Sequence, residues 1–459
     1  MSAAALNWPA IADETLRLLQ GMIRLDTSNP PGNEIIAAQY AAKLLRDDGI
    51  EPVIVETAPN RGNTIARLKG NGNARPLLLY SHTDVVPIER DKWTMNPFGG
   101  EIKDGYLYGR GSLDMKGIGA MQLAVFLTLA RQLQRGEIAP LNRDVIIAFT
   151  ADEETGDNQG MGPLCAHHPE LLRAEYGLSE FGGFSMYLGG KCFYPVQTAE
   201  KGTAWMRMIA TGQPGHASVP HNNNAVVHLA RAVHKLGSAA LPIHLTATTR
   251  QFISTLADGL GGAQRLGLKA LLAMGMRGLV SLPDSMFRDS GFINELQAIT
   301  RNTCSPTGLK AGLKTNVIPS DASAVLDCRT LPGFDTAALL AELKTLVGDD
   351  AKYVRFEVDS ATPPVEMPAD SPLMKTISTV IRRHDPSGIP IPYMLTGATD
   401  AKHVSKLGTI CYGFSPMKFA EGDRFAERVH AHDERVSVAA LAWGVHVLYD
   451  TVFEFCSQN

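Results

Sequence analysis

Two short segments of the chain, Leu77–Tyr80 and Val145–Phe149, are apolar at every position, and polar residues follow both. Such runs are typical of strands that are buried on both faces of a parallel sheet. Between them, Gly117–Gln134 carries apolar side chains at helical spacing and predicts a long helix. Because strands alternate with helices, we predict an α/β layer architecture.

The same periodicities predict further elements nearer the N-terminus. We predict helices over Ile11–Leu25 and Glu34–Asp48, and short strands over Pro52–Glu56 and Thr64–Leu68. The two helices are separated by residues 26–33, where Asp-Thr-Ser-Asn-Pro-Pro-Gly-Asn strongly favours turns.

After Glu200 the pattern changes, and residues 202–361 predict an inserted α+β domain. Its predicted strands are Trp205–Ala210, Ala311–Leu313, Ser323–Asp327 and Val354–Val358; its predicted helices are Ala225–Leu236, Thr336–Leu346 and one or two within Phe252–Leu282. The chain then returns through a helix, a strand and a closing helix: Pro372–Arg383, Thr409–Gly413 and the C-terminal segment. We therefore predict that residues 1–201 and 362–459 together form the first domain.

The bulk properties restrict the class of protein. A chain of 459 residues with 44% hydrophobic and 20% charged residues is expected to form two or more ordinary globular domains. The net charge of -4 gives no indication of nucleic-acid binding. No uninterrupted apolar stretch approaches the ~20 residues that span a bilayer, and the N-terminus lacks a signal-peptide pattern. The six scattered cysteines favour free thiols and a cytoplasmic location.

Histidine and acidic residues follow the predicted buried strands, at the place where open α/β sheets bind ligands. His82 and Asp84 come after the first strand. Zinc accepts imidazole nitrogen and carboxylate oxygen, so His82 is a candidate ligand that Asp84 would orient through its second nitrogen. A chance pair is the alternative for a single His-x-Asp. Asp114, between a Gly-rich turn and a helix, is either a helix N-cap, a ligand, or both.

Glu153 and Glu154 are adjacent at the end of the second buried strand. Two such carboxylates resist burial unless a cation or a proton shares the site. One of them could bind metal while the other acts as general base on water, although a solvated acidic turn is the simpler alternative. Glu180, in a Gly-rich context, is a weak candidate by itself.

Two candidates lie in the inserted domain. His216 stands in a Pro-Gly-His-Ala-Ser turn, where a histidine is usually just exposed. Arg329 could bind a carboxylate bidentately, although a surface role is commoner. The chain contains no Gly-x-Ser-x-Gly motif, which disfavours a serine hydrolase of that kind.

In this order, the clusters resemble the co-catalytic zinc aminoacylase and carboxypeptidase family, which includes acetylornithine deacetylase, succinyl-diaminopimelate desuccinylase and glutamate carboxypeptidase. The carboxypeptidase S-like branch, with its N-acyl amino acid hydrolases, is most similar. The matching stretches are Ser81–Pro87, Gly105–Gly117, Thr150–Gly156, Gly215–Pro220, Thr315–Pro319, Asp327–Gly333, Gly397–His403 and His430–Glu434. The resemblance implies a zinc-exopeptidase-like three-layer catalytic domain with an inserted, ferredoxin-like lid and dimerisation domain.

The resemblance also implies a role for each matching residue. His82 and Glu180 would hold one zinc ion, Glu154 and His430 the other, and Asp114 would bridge them. Co²⁺ or Mn²⁺ would be possible replacements for zinc. The peptide bond between Asp114 and Met115 would be cis. Two ligand positions stay open, because Glu175 is an alternative to Glu180 and His432 is an alternative to His430.

The remaining roles concern catalysis and substrate. Glu153 would be the general base, with Asp84 behind His82. His216 would reach the active site of the partner subunit in a homodimer and stabilise the oxyanion. The substrate would contact Asn316, Arg329 and Gly397, with Arg329 on its carboxylate.

The resemblance implies hydrolysis of an amide bond in an N-acyl amino acid or a small peptide with a free carboxylate. A dipeptidase, a carbamoyl-amide hydrolase, and a metal-binding protein without catalysis are the alternatives. The apolar stretch Leu266–Leu282 either enlarges the lid core or the dimer contact, or lines a channel for a long acyl or aromatic group.

Overall fold

A computed structural model describes residues 6–156, 158–276 and 292–458. The chain divides into two compact units. The first unit comprises Met1–Thr198, Met367–Pro392 and Thr399–Asn459, and the second comprises Ala199–Glu366 and Tyr393–Ala398. The sequence predicts instead that Tyr393–Ala398 belongs to the first domain.

The described residues form thirteen α-helices and nineteen strands. The helices are α1 (Trp8–Ile23), α2 (Ile35–Asp47), α3 (Lys116–Gln134), α4 (Met161–His167), α5 (Pro169–Leu172), α6 (Ala225–Ser238), α7 (Ala247–Leu260), α8 (Gly262–Ala273), α9 (Phe292–Ile299), α10 (Thr336–Val347), α11 (Pro372–His384), α12 (Ala401–Val404) and α13 (Val438–Ser457). The strands are β1 (Val53–Ala58), β2 (Arg61–Leu68), β3 (Ala74–His82), β4 (Glu101–Lys103), β5 (Tyr106–Tyr108), β6 (Arg143–Thr150), β7 (Tyr176–Ser179), β8 (Met186–Leu188), β9 (Lys191–Glu200), β10 (Gly202–Thr211), β11 (Gly215–His216), β12 (Thr303–Ala311), β13 (Val317–Ile318), β14 (Asp321–Thr330), β15 (Val354–Ala361), β16 (Val365–Glu366), β17 (Ile389–Leu395), β18 (Ile410–Gly413) and β19 (Arg435–Ser437).

The first unit is built on a mixed sheet with the strand order β1-β2-β6-β3-β7-β18-β9. Its centre is parallel, since β3 pairs in parallel with both β6 and β7, and β7 pairs in parallel with β18. The flank of β1 and β2 is antiparallel. Parallel pairing of the two apolar runs confirms the prediction from the hydrophobic pattern.

Helices cover both faces of this sheet. Leu77 and Leu79 of β3 are buried in one core with side chains of α1, α3, α11 and α13. Leu78 and Tyr80 point the other way, into a second core with α4, α5 and α12. Alternate residues of one strand are thus buried on opposite faces, which is why the run contains no polar position. The predicted three-layer α/β architecture is confirmed.

Helix α13 is long and apolar enough to span a membrane by length and composition. It packs against α1, α3 and α11, and its buried side chains include Leu441, Val445, Leu448 and Val452. Its apolar character is therefore that of a core helix.

The second unit contains an antiparallel sheet with the order β12-β14-β10-β15. In chain order its main elements are β10, α6, β12, β14, α10 and β15, which is the βαββαβ arrangement of a ferredoxin-like fold. Helices α6 and α10 pack on the sheet around a core that includes Met206, Leu326 and Leu343. This confirms the predicted ferredoxin-like fold of the inserted domain.

One predicted strand of this unit is wrong. The prediction Ala311–Leu313 is replaced by β12, which ends at Ala311, because Gly312 adopts a positive φ of 69° and turns the chain out of the sheet. Pro306 and Gly308 hid the true strand, since both residues disfavour strands except at edges and bulges. Strand β12 is an edge strand, and its register shifts between these two residues.

Candidate metal centre

The predicted ligands of the first unit follow the carboxyl ends of adjacent parallel strands. His82 is the last residue of β3, Glu153 and Glu154 follow β6, and Glu180 follows β7. Because these strands are neighbours in register, their ends meet at one edge of the sheet. Asp114 joins them from the turn before α3.

Asp114 lies between two histidines, with one carboxylate oxygen near each. Its Oδ1 is 3.1 Å from Nε2 of His82, and its Oδ2 is 3.2 Å from Nε2 of His430. Each oxygen therefore faces a different imidazole, as a carboxylate that bridges two cations would. The peptide bond between Asp114 and Met115 is cis, as the resemblance implied.

One further carboxylate accompanies each histidine. Glu180 Oε2 lies 3.5 Å from His82 Nε2, and both Glu154 oxygens lie 3.2 Å from His430 Nε2. Ligand atoms of His82, Asp114 and Glu154 all fall within 4.8 Å of one another, and so do those of His82, Glu153 and Glu180. The predicted ligands His82, Asp114, Glu154 and Glu180 are thus brought together, and His430 joins them through its contacts with Asp114 and Glu154.

The charges of this cluster are unbalanced without a cation. Burial lowers the pKa of His82, but Glu180, Asp114 and Asp84 raise it by more, so that it lies well above its ordinary value. Hydrogen bonds to Asp114 and Glu154 raise the pKa of His430 to about 10. Burial raises the pKa of Glu180 to about 8. Carboxylates that need protonated partners in a dry site would be satisfied equally by divalent cations.

The donor set fits zinc. Two imidazoles and three carboxylates, one of them placed to bridge, are ligands that zinc accepts in hydrolytic sites. His430 is half exposed while the other ligand side chains are at least nine-tenths buried, so the cluster has an open side. The residues present therefore match a dinuclear metal centre with access for substrate.

The two open ligand positions differ clearly in their surroundings. Glu175 forms an ion pair with Arg143 at 2.8 Å, at the opposite end of β7 from Glu180. His432 is exposed, and the contacts at Asp114 and Glu154 are made by His430. This geometry favours Glu180 and His430.

Asp84 lies behind the ligands. The main-chain oxygen of Asp84 is 3.0 Å from His82 Nδ1, and its carboxylate Oδ1 is 3.4 Å from the same nitrogen. The carboxylate also accepts hydrogen bonds from the main-chain N–H groups of Glu153 at 3.2 Å and Glu154 at 3.1 Å. One buried side chain thus orients the imidazole and the acidic pair.

Asn29 and Arg61 extend this network, and the sequence reading missed both. Asn29 Nδ2 donates to Asp84 and to Asp152, at 2.9 Å each. Arg61 donates to Asn29 Oδ1 at 3.2 Å and forms buried ion pairs with Asp152 and Glu34. Asn29 lies in the Pro-rich stretch that had been interpreted only as a turn, so local sequence carried no signal for its role.

Glu434 holds the turn that carries Asp114. Its carboxylate pairs with Arg110 at 2.7 Å and accepts main-chain N–H groups of Gly111, Leu113 and Asp114 at 2.7–3.2 Å. Arg110 and Glu434 are both buried. Glu434 ends the matching stretch His430–Glu434, and its structural role was not predicted from the sequence.

Glu153 lies beside the proposed ligands, and a carboxylate oxygen of this residue falls within 4.8 Å of ligand atoms of His82 and Glu180. Its Oε1 lies 3.8 Å from Nζ of Lys402, and its side chain is mostly buried. Glu153 thus offers a carboxylate beside the proposed ligands, which is the kind of group that a general base requires.

The other predicted residues belong to the second unit. His216 of β11 is exposed, and its Nδ1 accepts a hydrogen bond from Ser218 Oγ at 2.7 Å. The main-chain oxygen of the exposed Asn316 accepts the N–H of Ala217 at 3.1 Å. Strands β11 and β13 therefore bring His216 and Asn316 to the same small surface.

Arg329 and Gly397 line one cavity of about 380 Å³ within the second unit. Two of the guanidinium N–H groups of Arg329 are engaged by Asp327, at 2.7 and 3.0 Å. Lys201, which the sequence reading did not single out, also lines this cavity. Burial, followed by Arg329 and Arg301, lowers the pKa of Lys201 to about 7.

The apolar stretch Leu266–Leu282 begins in α8, and its residues 277–282 lie outside the described residues. Leu266 and Met274 are exposed, whereas Leu268 and Leu271 are buried. The idea that this stretch lines an acyl channel stays a prediction.

The sequence matches a protein-family model and several curated relatives. The model of peptidase family M20/M25/M40 matches residues 78–454. Among curated relatives, a probable carboxypeptidase S-like 2 of Dictyostelium discoideum is 29% identical over 376 residues, 79% of this chain and 68% of that protein. Human aminoacylase-1 is 28% identical over 441 residues, covering 94% of this chain and 93% of that protein.

Solved structures share the fold over almost the full length. An M20 family metallo-carboxypeptidase, Sso-CP2 from Sulfolobus solfataricus, superposes with a TM-score of 0.71 at 18% identity, covering 96% of this chain and 99% of that one. Human carnosine dipeptidase 1 gives a TM-score of 0.67 at 14% identity, with 98% of each chain covered. At these identities the likeness concerns the fold.

Proposed function

The chain belongs to peptidase family M20/M25/M40 and is a dinuclear metallohydrolase of amide or peptide bonds; on this premise we propose that it hydrolyses an N-acyl amino acid or a small peptide with a free carboxylate. The observation that carries the proposal is the placement of Asp114 between His82 and His430, with one oxygen toward each. The relatives aminoacylase-1 and the N-fatty-acyl-amino acid synthase/hydrolase PM20D1 of Xenopus tropicalis support the N-acyl amino acid as substrate class.

We propose zinc as the metal. His82 and Glu180 would hold one ion, Glu154 and His430 the other, and Asp114 would bridge them. Two such ions, when bound, polarise the amide carbonyl and lower the pKa of water. The arrangement of one histidine and one carboxylate on each side of the bridging aspartate supports this assignment.

Glu153 is the proposed general base. Its carboxylate would accept the proton of the attacking water and deliver it to the departing amine nitrogen, so that it ends the cycle ionised. The ligand-like distance of Glu153 to His82 and Glu180 supports a place beside the reacting atoms. Asp84 would keep both acidic neighbours in position through their main-chain N–H groups.

The second unit would recognise the substrate. Arg329 and Gly397 line a common cavity, where the free donors of Arg329 would bind the substrate carboxylate, with Asn316 as a further contact. His216 would stabilise the oxyanion in the partner subunit of a homodimer. The exposure of His216 is compatible with that role.

We also propose a cytoplasmic location, which the six free cysteines support.

A dipeptidase is the second candidate, since human carnosine dipeptidase 1 is an example of that activity on the same fold. An N-acyl amino acid and a dipeptide differ on the acyl side, because only the dipeptide carries an α-ammonium group there.

The testing experiment combines metal analysis with a substrate screen. Purified protein is assayed for zinc and then for hydrolysis of N-acyl amino acids, their carboxamide counterparts and dipeptides, before and after chelation. We expect about two zinc ions per chain, chelator-sensitive cleavage of N-acyl amino acids, and loss of activity on the carboxamides. Cleavage of dipeptides alone would favour the second candidate. Zinc-loaded protein that cleaves none of these amides would contradict the proposal.

A further inference from the structure

An apolar cavity lies against the metal cluster, entirely within the first unit. Its volume is about 40 Å³, and two of the proposed ligands, Asp114 and Glu180, form part of its wall. The apolar part of the wall includes Ile118, Phe184, Met417, Phe419, Phe425 and Val429. The proposed mechanism leaves this cavity without a role.

The main chain fixes one side of the cavity. Phe184 and Met417 face each other in a parallel bridge between two segments. The N–H of Ser185 donates to the main-chain oxygen of Met417 at 2.9 Å, and the N–H of Phe419 donates to Ser185 Oγ at 2.9 Å. This wall is therefore held by one main-chain hydrogen bond and one from a main-chain N–H to a serine hydroxyl, and it does not depend on side-chain packing alone.

A further part of the wall comes from the turn that leads to His430. Phe425 packs edge-on against Phe184 at 4.8 Å and stacks on Phe419 at 4.3 Å. Val429 directly precedes the metal-ligand candidate His430. One turn thus carries both a proposed ligand, His430, and part of the cavity wall, Val429.

We propose that this cavity receives the acyl chain of the substrate and limits it to about three carbon atoms beyond the carbonyl carbon, as in a butanoyl group. The inference rests on the proposed function and adds the substrate class within it. A water-sized sphere requires roughly 10–15 Å³ of such volume, so 40 Å³ holds about three of them. A carbonyl held at the metals would place its chain next to Asp114 and Glu180, which both line the cavity.

The cavity also selects against charge. An apolar chain gains about fourfold in affinity for each methylene buried, because burial of one methylene is worth ~0.8 kcal/mol. A terminal carboxylate in the same place would lose its hydration water among aromatic rings. An N-butanoyl substrate is therefore expected to exceed the N-succinyl substrate of equal chain length by at least about a hundredfold in kcat/KM.

The experiment compares acyl chain lengths on one amino acid, from N-acetyl through N-butanoyl to N-octanoyl, with the zinc-loaded protein. For the wild type we expect kcat/KM to rise about fourfold per methylene to butanoyl and then to fall. Phe425→Ala opens the cavity toward the surface turn and should move the maximum to hexanoyl or longer. Phe184→Ala should act in the same direction.

Phe453→Ala is the matched control, since Phe453 is a half-buried phenylalanine of α13 that stacks on Tyr449 outside the cavity. It should keep the wild-type chain-length profile. Circular dichroism and thermal unfolding establish that each variant is folded, and either cavity variant suffices for the comparison.

A second readout does not require turnover. Calorimetry measures the binding of the acid products, from acetate to octanoate, to the zinc-loaded wild type and variants, and the same optimum and the same shift are expected. Hydrolysis with a chain-length profile that Phe425→Ala and Phe184→Ala leave unchanged would overturn the cavity assignment while the proposed function stands. Acids that bind with the expected profile, without cleavage of any amide, would support the cavity and reject the proposed function.

Discussion

The carboxylate of Asp84 accepts a hydrogen bond from the main-chain N–H of Glu153, at 3.2 Å. The same carboxylate accepts the N–H of Glu154 and lies beside the imidazole of His82. Asp84, which follows β3, thereby fixes the backbone that follows the neighbouring strand β6. The proposed base Glu153 and the proposed ligand Glu154 are positioned together. This buried contact connects the segment of His82 and Asp84 to the segment of Glu153 and Glu154.

Asp84→Asn tests that link. The amide keeps the shape but offers one acceptor oxygen and an NH₂ group, so one of the two main-chain N–H groups would face a donor. We expect kcat/KM to fall about 10- to 100-fold, with weaker zinc binding, as for other residues that orient metal ligands. Steady-state kinetics and zinc titration measure both effects. Full activity with unchanged zinc affinity would show that the contact is dispensable.

Glu153→Gln separates base catalysis from metal binding. Glutamine retains the volume but cannot accept the proton, so kcat should fall about 100- to 10,000-fold while bound zinc stays at the wild-type level. Metal analysis and single-turnover rates on the same preparation give the two numbers. Turnover near the wild-type rate would refute the assigned role of Glu153.

His430→Ala and His432→Ala form a matched pair only two residues apart. Because His430 Nε2 lies 3.2 Å from Asp114 and from Glu154, its loss should reduce bound zinc from about two ions to about one per chain. His432 is exposed, so its replacement should leave zinc content unchanged. Zinc content by mass spectrometry under native conditions decides the matter, and the reverse outcome would make His432 the ligand.

Glu434→Gln should destabilise the folded protein. The change leaves Arg110 buried without its 2.7 Å ion-pair partner, and an uncompensated buried charge costs about 3 kcal/mol. Glu427→Gln is the control, since Glu427 pairs with Arg424 on the surface and such pairs contribute under about 1 kcal/mol. Urea unfolding of both variants gives the two free energies. Equal losses in the free energy of unfolding would show that the Arg110–Glu434 pair contributes no more to stability than the surface pair.

Glu34 should make stability depend on pH. Burial, reinforced by the charge of Asp84, raises the pKa of Glu34 from 4.5 to about 7. Between these two pH values the folded chain holds a proton that the unfolded chain has released, so the free energy of unfolding falls as the pH rises. Glu34→Gln cannot titrate and lacks this decline. The wild type should therefore lose on the order of 3 kcal/mol relative to the variant between pH 4.5 and pH 7.

Urea unfolding of the wild type and Glu34→Gln at a series of pH values measures that difference. Other titrating groups are common to both proteins and cancel in the comparison. A difference that stays constant across the series would mean that Glu34 titrates alike in the folded and unfolded chains.

The hydrophobic pattern was sufficient for the elements that contain the ligands. Leu77–Tyr80 and Val145–Phe149 are apolar throughout because layers of helices cover both faces of their sheet. Every residue of these runs must therefore be apolar, and the pattern is visible in the sequence. The approximate position of the site followed, since ligands of such sheets lie at the carboxyl ends of the strands. The edge strand β12 was missed because Pro306 and Gly308 interrupt its pattern without interrupting its pairing.

By itself the sequence determined the layered architecture, the presence of an inserted α+β domain and the order of the clusters that resemble a zinc hydrolase family. Only the tertiary structure decided that Asp114 lies between His82 and His430, that Asn29 holds Asp84, and that aromatic rings enclose a cavity beside the ligands. The reason is physical. Periodicity records how each residue meets its own layer, whereas these contacts join segments far apart along the chain, and no local pattern encodes which distant side chains will meet.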